Sequence, residues 1–302
     1  MKSYHQTELE DAIHKFILYC SNYRNLSPYT IRNYKNDLLG FYNFLRTEKK
    51  YHIDELDRSI VRKYIKHLNN LDYKRSSINR KLSVLRVLFR YISTNSEFGN
   101  KDLTMFGKSK SNRNLPKILN NKQMKDILDS VDISTFLGLR NRTLLELMYS
   151  TGLRVSELSS INNEDILNLQ QIKIIGKGSK VRVVYINDES KKFLDNYLNI
   201  RNNKNTKTDS LFINKYGERL SVRSIQKIVK KYGHKAGLDL SLHPHMLRHT
   251  FATQMLSNGA DLRTVQTLLG HAKISTTQIY THVANKDMEK SYFNFHPRVT
   301  PR

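Results

Sequence analysis

The sequence predicts a mainly α-helical protein of two domains, with a small antiparallel β-sheet in the second domain. Three observations support this prediction. Four amphipathic helical patterns fill roughly the first hundred residues, which is enough for a small bundle. A polar, basic stretch with few apolar residues follows them. The remaining sequence is again helical, except for two alternating segments that bound a Gly-Ser turn. A chain of 302 residues is also long for a single domain.

The first domain is predicted over residues 1–106. In its second helix, Ser27 is the expected N-cap and Pro28 the first helical residue. The fourth helix has apolar residues at helical spacing and basic residues on its other faces. The apolar set is Ile78, Leu82, Leu85, Leu88 and Ile92, and the basic set is Arg80, Lys81, Arg86 and Arg90. Contact with DNA and a solvated charged face both explain such a pattern.

Residues 107–115 are predicted to form a linker, because this stretch is polar and basic. The second domain then covers residues 116–302. Its segments QIKII and KVRVVYI alternate apolar and polar residues around GKGS, which predicts a two-stranded antiparallel hairpin. Further on, Asp261 and Gly270 are expected to begin and end one helix.

The chain is strongly basic. Its 51 Lys and Arg residues outnumber its 27 Asp and Glu residues, giving a formal net charge of +24. An excess of this size favours a polyanionic partner, because neutralising phosphates releases condensed counterions. A general enrichment in Lys and Asn of the kind found with AT-rich genomes is a less favoured explanation of the charge.

The sequence favours a cytoplasmic protein without membrane contact. No apolar run approaches the roughly 20 residues of a membrane span. The first residues include acids and lack an apolar signal core. Cys20 is the only cysteine and lies among apolar residues, so we expect a buried structural thiol rather than a disulfide.

Six side chains with phosphoryl-transfer chemistry occur in the second domain. Two guanidinium groups suit the non-bridging oxygens of a phosphodiester, and a phenol can attack its phosphorus. Imidazole and ammonium groups can move the protons. Taken singly, each residue also has an ordinary structural explanation, such as an exposed turn lysine or a packed tyrosine. The candidates are Arg154, Lys177, His245, Arg248, His271 and Tyr280.

A metal site is a second interpretation of the histidines. His245 and His249 have the i, i+4 spacing of a zinc-binding helix. The HEXXH pattern is absent, however, and the guanidinium of Arg248 would repel a divalent ion between two such ligands. We therefore expect neither a metal nor another cofactor.

In their order and spacing, the six residues resemble the tyrosine recombinase (phage integrase) family, most closely its Xer-type site-specific recombinases. The resemblance runs through essentially the whole chain. It implies that Tyr280 attacks DNA to form a 3′-phosphotyrosyl intermediate, with Arg154, Lys177, His245, Arg248 and His271 as the other catalytic residues. It further implies an N-terminal helical domain that clamps double-stranded DNA at a specific recombination site, and a homotetramer acting on two duplexes without a metal.

Several alternatives stay open at this point. A type IB topoisomerase shares the chemistry but relaxes DNA as a monomer, and a DNA-binding protein without catalysis explains the charge. Resolution of chromosome or plasmid dimers and movement of a mobile element are all compatible with the motifs, as is a second recombinase or an activating protein. The C-terminal segment after Tyr280 either docks on a neighbouring subunit or packs on its own domain.

Overall fold

The computed structural model describes residues 8–95, 97, 117–176, 180–204, 206–238, 241–270 and 292–297. The chain divides into two compact units, Met1–Arg113 and Asn114–Arg302. The predicted linker, residues 107–115, lies outside the described residues, so its bounds stay a prediction. No helix in the described ranges has both the length and the apolar character required to cross a membrane.

In its described residues, the first unit contains the four predicted helices and a short 3-10 turn after the second of them. Ser27 caps the second helix, and its hydroxyl accepts a hydrogen bond from the backbone N–H of Thr30. The helices bury one apolar face each in a common core that includes Phe16, Phe41 and Leu88. The elements are α1 (Glu8–Asn22), α2 (Pro28–Thr47), the 3-10 turn (Ile53–Glu55), α3 (Arg58–Asn70) and α4 (Arg75–Thr94).

Lys81 differs from its predicted position on an outer face of α4. Its side chain is buried beside Asp37 of α2, and its ammonium group donates to that carboxylate at 3.3 Å. Arg80 also pairs with Asp37. The pattern of apolar residues did not predict this burial, because a charged lysine is expected on an exposed face. Here the buried carboxylate of Asp37 stabilises the ammonium group inside the core.

The second unit is built around one buried helix. The helix α6 is buried from Gly138 to Thr151, so it meets protein on every side. It packs against α5, α8 and α10, and its C-terminal end reaches the candidate site. The helices are α5 (Asn121–Asp129), α6 (Phe136–Thr151), α7 (Val155–Ser160), α8 (Asp188–Asn202), α9 (Val222–Lys235), α10 (Pro244–Ser257) and α11 (Leu262–Leu269).

A small antiparallel sheet lies between α7 and α8. The predicted hairpin is formed by β2 (Gln171–Ile175) and β3 (Val181–Tyr185), with Ile174 opposite Arg182. A third strand, β1 (Ile166–Asn168), pairs with the outer edge of β2. The sequence did not predict β1, because three residues are too few for an alternating pattern. The mainly helical class with a small antiparallel sheet is confirmed.

The C-terminal residues 292–297 pack on their own domain. Tyr292 is buried in a cluster with Phe251 and Leu269, which belong to α10 and α11. Asn258, just after α10, donates to the backbone carbonyl of Phe295 at 2.8 Å. These residues therefore contact their own domain in the single chain, and docking of the segment on a neighbouring subunit stays a prediction.

Candidate active site

A left-handed glycine turn delivers Arg154 to the site. The helix α6 ends at Gly152, whose φ of 62° is unfavourable for residues with a Cβ atom. A Cβ at Gly152 would lie 2.6 Å from Phe251 and 2.8 Å from Leu269, so the close packing of α10 and α11 also requires glycine. After this turn Arg154 is the N-cap of α7. The turn therefore sets the position of Arg154 beside both of these helices.

Glu157 fixes the guanidinium of Arg154. Its carboxylate accepts a hydrogen bond from the Arg154 backbone N–H at 2.9 Å and one from Arg154 Nη1 at 2.8 Å. The Glu157 side chain is only 6% exposed, whereas that of Arg154 is 34% exposed. The buried carboxylate therefore anchors a cation that still faces solvent.

Arg248 lies one turn into α10 and is 7% exposed. The helix begins with His243 as N-cap and Pro244 as its first residue, a position where the missing N–H of proline costs no helical hydrogen bond. Burial, and after it the nearby charge of Arg154, lower the pKa of Arg248 to about 10. The group nevertheless remains protonated at neutral pH, so it is a buried permanent cation.

Three arginines converge on the C-terminal end of α11, which Gly270 closes with a φ of 63°. Helix C-termini present carbonyl groups without intrahelical partners and attract positive charge. The carbonyl of Gly152, at the end of α6, also accepts a hydrogen bond from Arg248 Nη1, at 2.8 Å. The contacts to α11 are Arg182 Nε to Leu268 O (3.2 Å), Arg248 Nη2 to Leu269 O (2.7 Å), Arg154 Nη1 to Leu269 O (3.4 Å) and Arg154 Nη2 to Gly270 O (3.3 Å).

Arg182 also belongs to this cluster, although it is not among the six site residues predicted from the sequence. In the sequence it is one of several basic residues around the hairpin, near Lys177 and Lys180. Its two Nη atoms instead donate to the two carboxylate oxygens of Glu157, at 3.1 and 2.9 Å. A guanidinium held in this bidentate way is fixed in place rather than mobile.

The cluster keeps a net positive charge. Burial by itself raises the pKa of Glu157, but hydrogen bonds from Arg182 and the Arg154 backbone outweigh it and hold the pKa below its ordinary value. Glu157 is therefore ionised at neutral pH, and in the described part of the site one carboxylate faces three guanidinium groups. The uncompensated positive charge suits a phosphodiester and the charge that grows on its oxygens during attack.

His245 lies one turn before Arg248 on α10 and is exposed. Desolvation of its ring is the largest cause that lowers its pKa. Repulsion from His243, His249, Arg248 and Arg154 lowers it further. Its imidazole is thus mostly neutral at pH 7 and can accept a proton.

We predict an acid limb in the pH dependence of DNA cleavage. A base must be unprotonated, so the rate should rise with pH through the pKa of His245 and level off above it. Because that pKa is lowered, the midpoint should fall below the ordinary histidine value of about 6.5. The measurement is the second-order rate constant of covalent complex formation at DNA concentrations below Kd, which reports on the free enzyme.

His245→Gln should be slow and should lose this limb, whereas His249→Gln, a matched change on the same helix, should keep it. A midpoint above 6.5 in the unmodified protein, or the same limb in His245→Gln, would contradict the assignment.

The structure describes three of the six predicted site residues. It brings Arg154 and Arg248 together at the carbonyl of Leu269 and places His245 on the same helix as Arg248. Lys177, His271 and Tyr280 lie outside the described residues. Of these, Lys177 directly follows Gly176, the residue after β2, and His271 directly follows Gly270, which closes α11. Within the described ranges, no three His, Cys, Asp or Glu side chains are grouped as metal ligands.

Family models cover both units of the chain. The model of the phage integrase family matches residues 117–287, and that of the phage integrase N-terminal SAM-like domain matches residues 13–94. The chain belongs to the phage integrase family. The match includes all six predicted site residues, and it confirms the resemblance on which their roles were based.

Relatives of this phage integrase family member include Xer-type tyrosine recombinases. It is 38% identical to tyrosine recombinase XerD of Staphylococcus epidermidis over 296 residues, which are 96% of this chain and 100% of the relative. The identity to XerD of Staphylococcus aureus is also 38% over 296 residues, with the same two coverages. The predicted kinship with Xer-type recombinases is thereby confirmed.

A solved structure with a similar fold is XerH site-specific recombinase bound to palindromic difH substrate, in a post-cleavage complex. The TM-score is 0.70 and the identity 25%, covering 96% of this chain and 90% of XerH. A lambda integrase tetramer bound to a Holliday junction has a TM-score of 0.69 at 16% identity, covering 89% of this chain and 80% of the integrase. At this identity, the similarity to lambda integrase shows only a shared fold.

Proposed function

We propose that the chain is a site-specific DNA recombinase of the Xer type, which cleaves and rejoins strands through a 3′-phosphotyrosyl intermediate. The observation that carries the proposal is the cluster of Arg154, Arg182 and Arg248 at the end of the helix that precedes His271, where Glu157 pairs with Arg154 and Arg182. Fixed guanidinium groups of this kind bind a phosphodiester and stabilise the charge of its transition state. Membership of the phage integrase family supports DNA as the substrate of this cluster.

In the proposed cleavage step, the phenol oxygen of Tyr280 forms a bond to phosphorus and the bond to the 5′-oxygen breaks. Arg154 and Arg248 bind the non-bridging oxygens, and His271 donates a further hydrogen bond. His245 takes the phenol proton, for which its lowered pKa supports a neutral imidazole at the start. Lys177 gives a proton to the departing oxygen, so a free 5′-hydroxyl is left.

Rejoining reverses these steps on a new strand. A 5′-hydroxyl attacks the phosphotyrosyl bond, returns its proton through the same groups and releases Tyr280. The energy of the phosphodiester is kept in the covalent intermediate, so the proposed reaction needs neither a metal nor a nucleotide. Water must be excluded while the intermediate exists, because hydrolysis would leave the strand broken.

We also propose a homotetramer on two duplexes. Complete exchange between two duplexes breaks four strands, and each break requires one Tyr280. The net charge of +24 supports binding along phosphates, and XerH, a relative, has been solved on its DNA substrate. In this proposal residues 1–106 clamp the duplex, residues 107–115 link the domains, and residues 116–302 catalyse. A specific recombination site is the DNA partner, and a second recombinase or an activating protein is a further candidate partner.

The test is incubation of the protein in EDTA with nicked suicide duplexes that contain candidate sites, followed by denaturing electrophoresis. The proposal predicts a protease-sensitive protein–DNA adduct and, with two intact site-bearing duplexes, recombinant products. If a supercoiled plasmid that carries the site is relaxed without recombinant products, a topoisomerase would be favoured instead. DNA binding without an adduct, with candidate partner recombinases also present, would favour a DNA-binding protein without catalysis.

A further inference from the structure

Arg182 joins three parts of the site that are far apart in the sequence. Its Nη atoms hold Glu157 of α7, and its Nε donates to the carbonyl of Leu268 near the end of α11. Its own backbone belongs to β3, which pairs with β2 and begins four residues after position 177. One largely buried side chain therefore ties the hairpin to α7 and α11.

The contact with α11 is close. A Cβ atom built on Gly270 would lie 2.9 Å from Arg182 Nη1 and 3.0 Å from its Cζ. The guanidinium thus packs directly on the backbone of the residue that precedes His271. Any movement of β3 relative to α11 must move this contact.

Arg182 also sets how much of the Glu157 charge Arg154 receives. The carboxylate is 6% exposed and is shared by the two arginines, with one hydrogen bond from Arg154 Nη1 and two from Arg182. Without Arg182, the ionised carboxylate would face Arg154 alone at short range. Arg154 would then be neutralised more fully and would have less net charge for a phosphate.

We propose that Arg182 is a positioning residue for strand cleavage, which shares Glu157 with Arg154 and holds the hairpin against the end of α11. The proposal rests on the proposed function, because it assigns Arg182 a part in that reaction. Arg182 does not touch the reacting atoms in this account. It acts through Arg154 and through the two backbone segments that lead to positions 177 and 271.

The proposal is tested with single-turnover cleavage of a nicked suicide duplex, measured beside Kd for DNA and the melting temperature. Arg182→Met should lower the rate at saturating DNA by about 30-fold, the order expected when reacting groups are displaced by less than about 1 Å. The Kd should change by less than about threefold, because the side chain faces protein rather than solvent. Arg182→Lys should recover part of the rate, since it keeps the charge but not the bidentate fork.

Arg219→Met is the matched control. Arg219 also donates to backbone near α7, to the carbonyl of Ser159 at 2.8 Å, but has no hydrogen bond to Glu157 or α11. If the role of Arg182 is purely structural, Arg182→Met and Arg219→Met should lose equal fractions of the cleavage rate when their melting temperatures are equal. Arg182→Lys should then recover none of the lost rate. Those results would overturn the proposal. If Arg182→Met does not fold, the cleavage rates of Arg182→Lys and Arg219→Lys are compared instead, and equal losses at equal melting temperature would again overturn the proposal.

The double variant Arg182→Met/Glu157→Gln tests the sharing of charge. If Arg182 works by sharing Glu157, the Glu157→Gln change should slow cleavage less when it is added to Arg182→Met than when it is made in the unmodified protein. Independent, multiplicative losses would overturn the electrostatic part. Absence of any adduct with the unmodified protein is a different result, since it contradicts the proposed function, and this inference then falls with it.

Discussion

Replacing Tyr280 with Phe is expected to abolish covalent attachment to DNA while leaving DNA binding unchanged. The substitution keeps the ring and removes only the oxygen that forms the bond to phosphorus. The adduct rate should fall by at least about 10⁴-fold, as for removal of nucleophiles in other enzymes. The measurement is the adduct on a denaturing gel, with Kd taken from a parallel binding experiment.

Tyr216→Phe is the matched control for this change, because Tyr216 lies in the same domain and is 63% exposed. It should form adduct at the unmodified rate. An adduct of undiminished yield with Tyr280→Phe would show that another group attacks, and the assignment of the nucleophile would be withdrawn.

Replacing Arg248 with Ala is expected to cause the second largest loss. Two of its five N–H donors contact the carbonyls of Gly152 and Leu269, which leaves others for the phosphate. Loss of this buried cation should lower the single-turnover cleavage rate by about 10³-fold, the order found when one preorganised donor is removed. The melting temperature should also fall, because two carbonyl groups lose a charged partner.

Arg248→Lys separates the two effects. It keeps a positive charge near the end of α11 but cannot bridge the carbonyls of Gly152 and Leu269 with a planar fork. We expect a melting temperature nearer the unmodified value and a cleavage rate still reduced by at least about tenfold. Cleavage by Arg248→Ala within a few-fold of the unmodified protein would contradict a catalytic role for this arginine.

Local signals predicted much of the scaffold around the site. Ser27 and Asp261 mark helix starts, and Gly270 marks a helix end, as the structure has them. These residues act through their own backbone or the next turn, so a single sequence is enough to interpret them. The hairpin of β2 and β3 followed from strict alternation around a turn for the same reason.

The contacts that organise the site could not be predicted in this way. Arg182 and Glu157 are 25 residues apart and meet only because β3 packs beside α7. The other acceptors, including the carbonyls of Leu268 and Leu269, are backbone groups that leave no mark in the sequence. Lys81 was placed on the wrong face of α4 because its partner, Asp37, lies on another helix.

The most direct test of the account is to identify the amino acid that becomes linked to DNA. The adduct would be formed in EDTA on a suicide duplex, digested with nuclease and trypsin, and analysed by mass spectrometry. The account predicts a nucleotide on the tryptic peptide of residues 274–286, with fragment ions that place it on Tyr280. A nucleotide on any other residue, or an adduct that forms only with added metal, would contradict it.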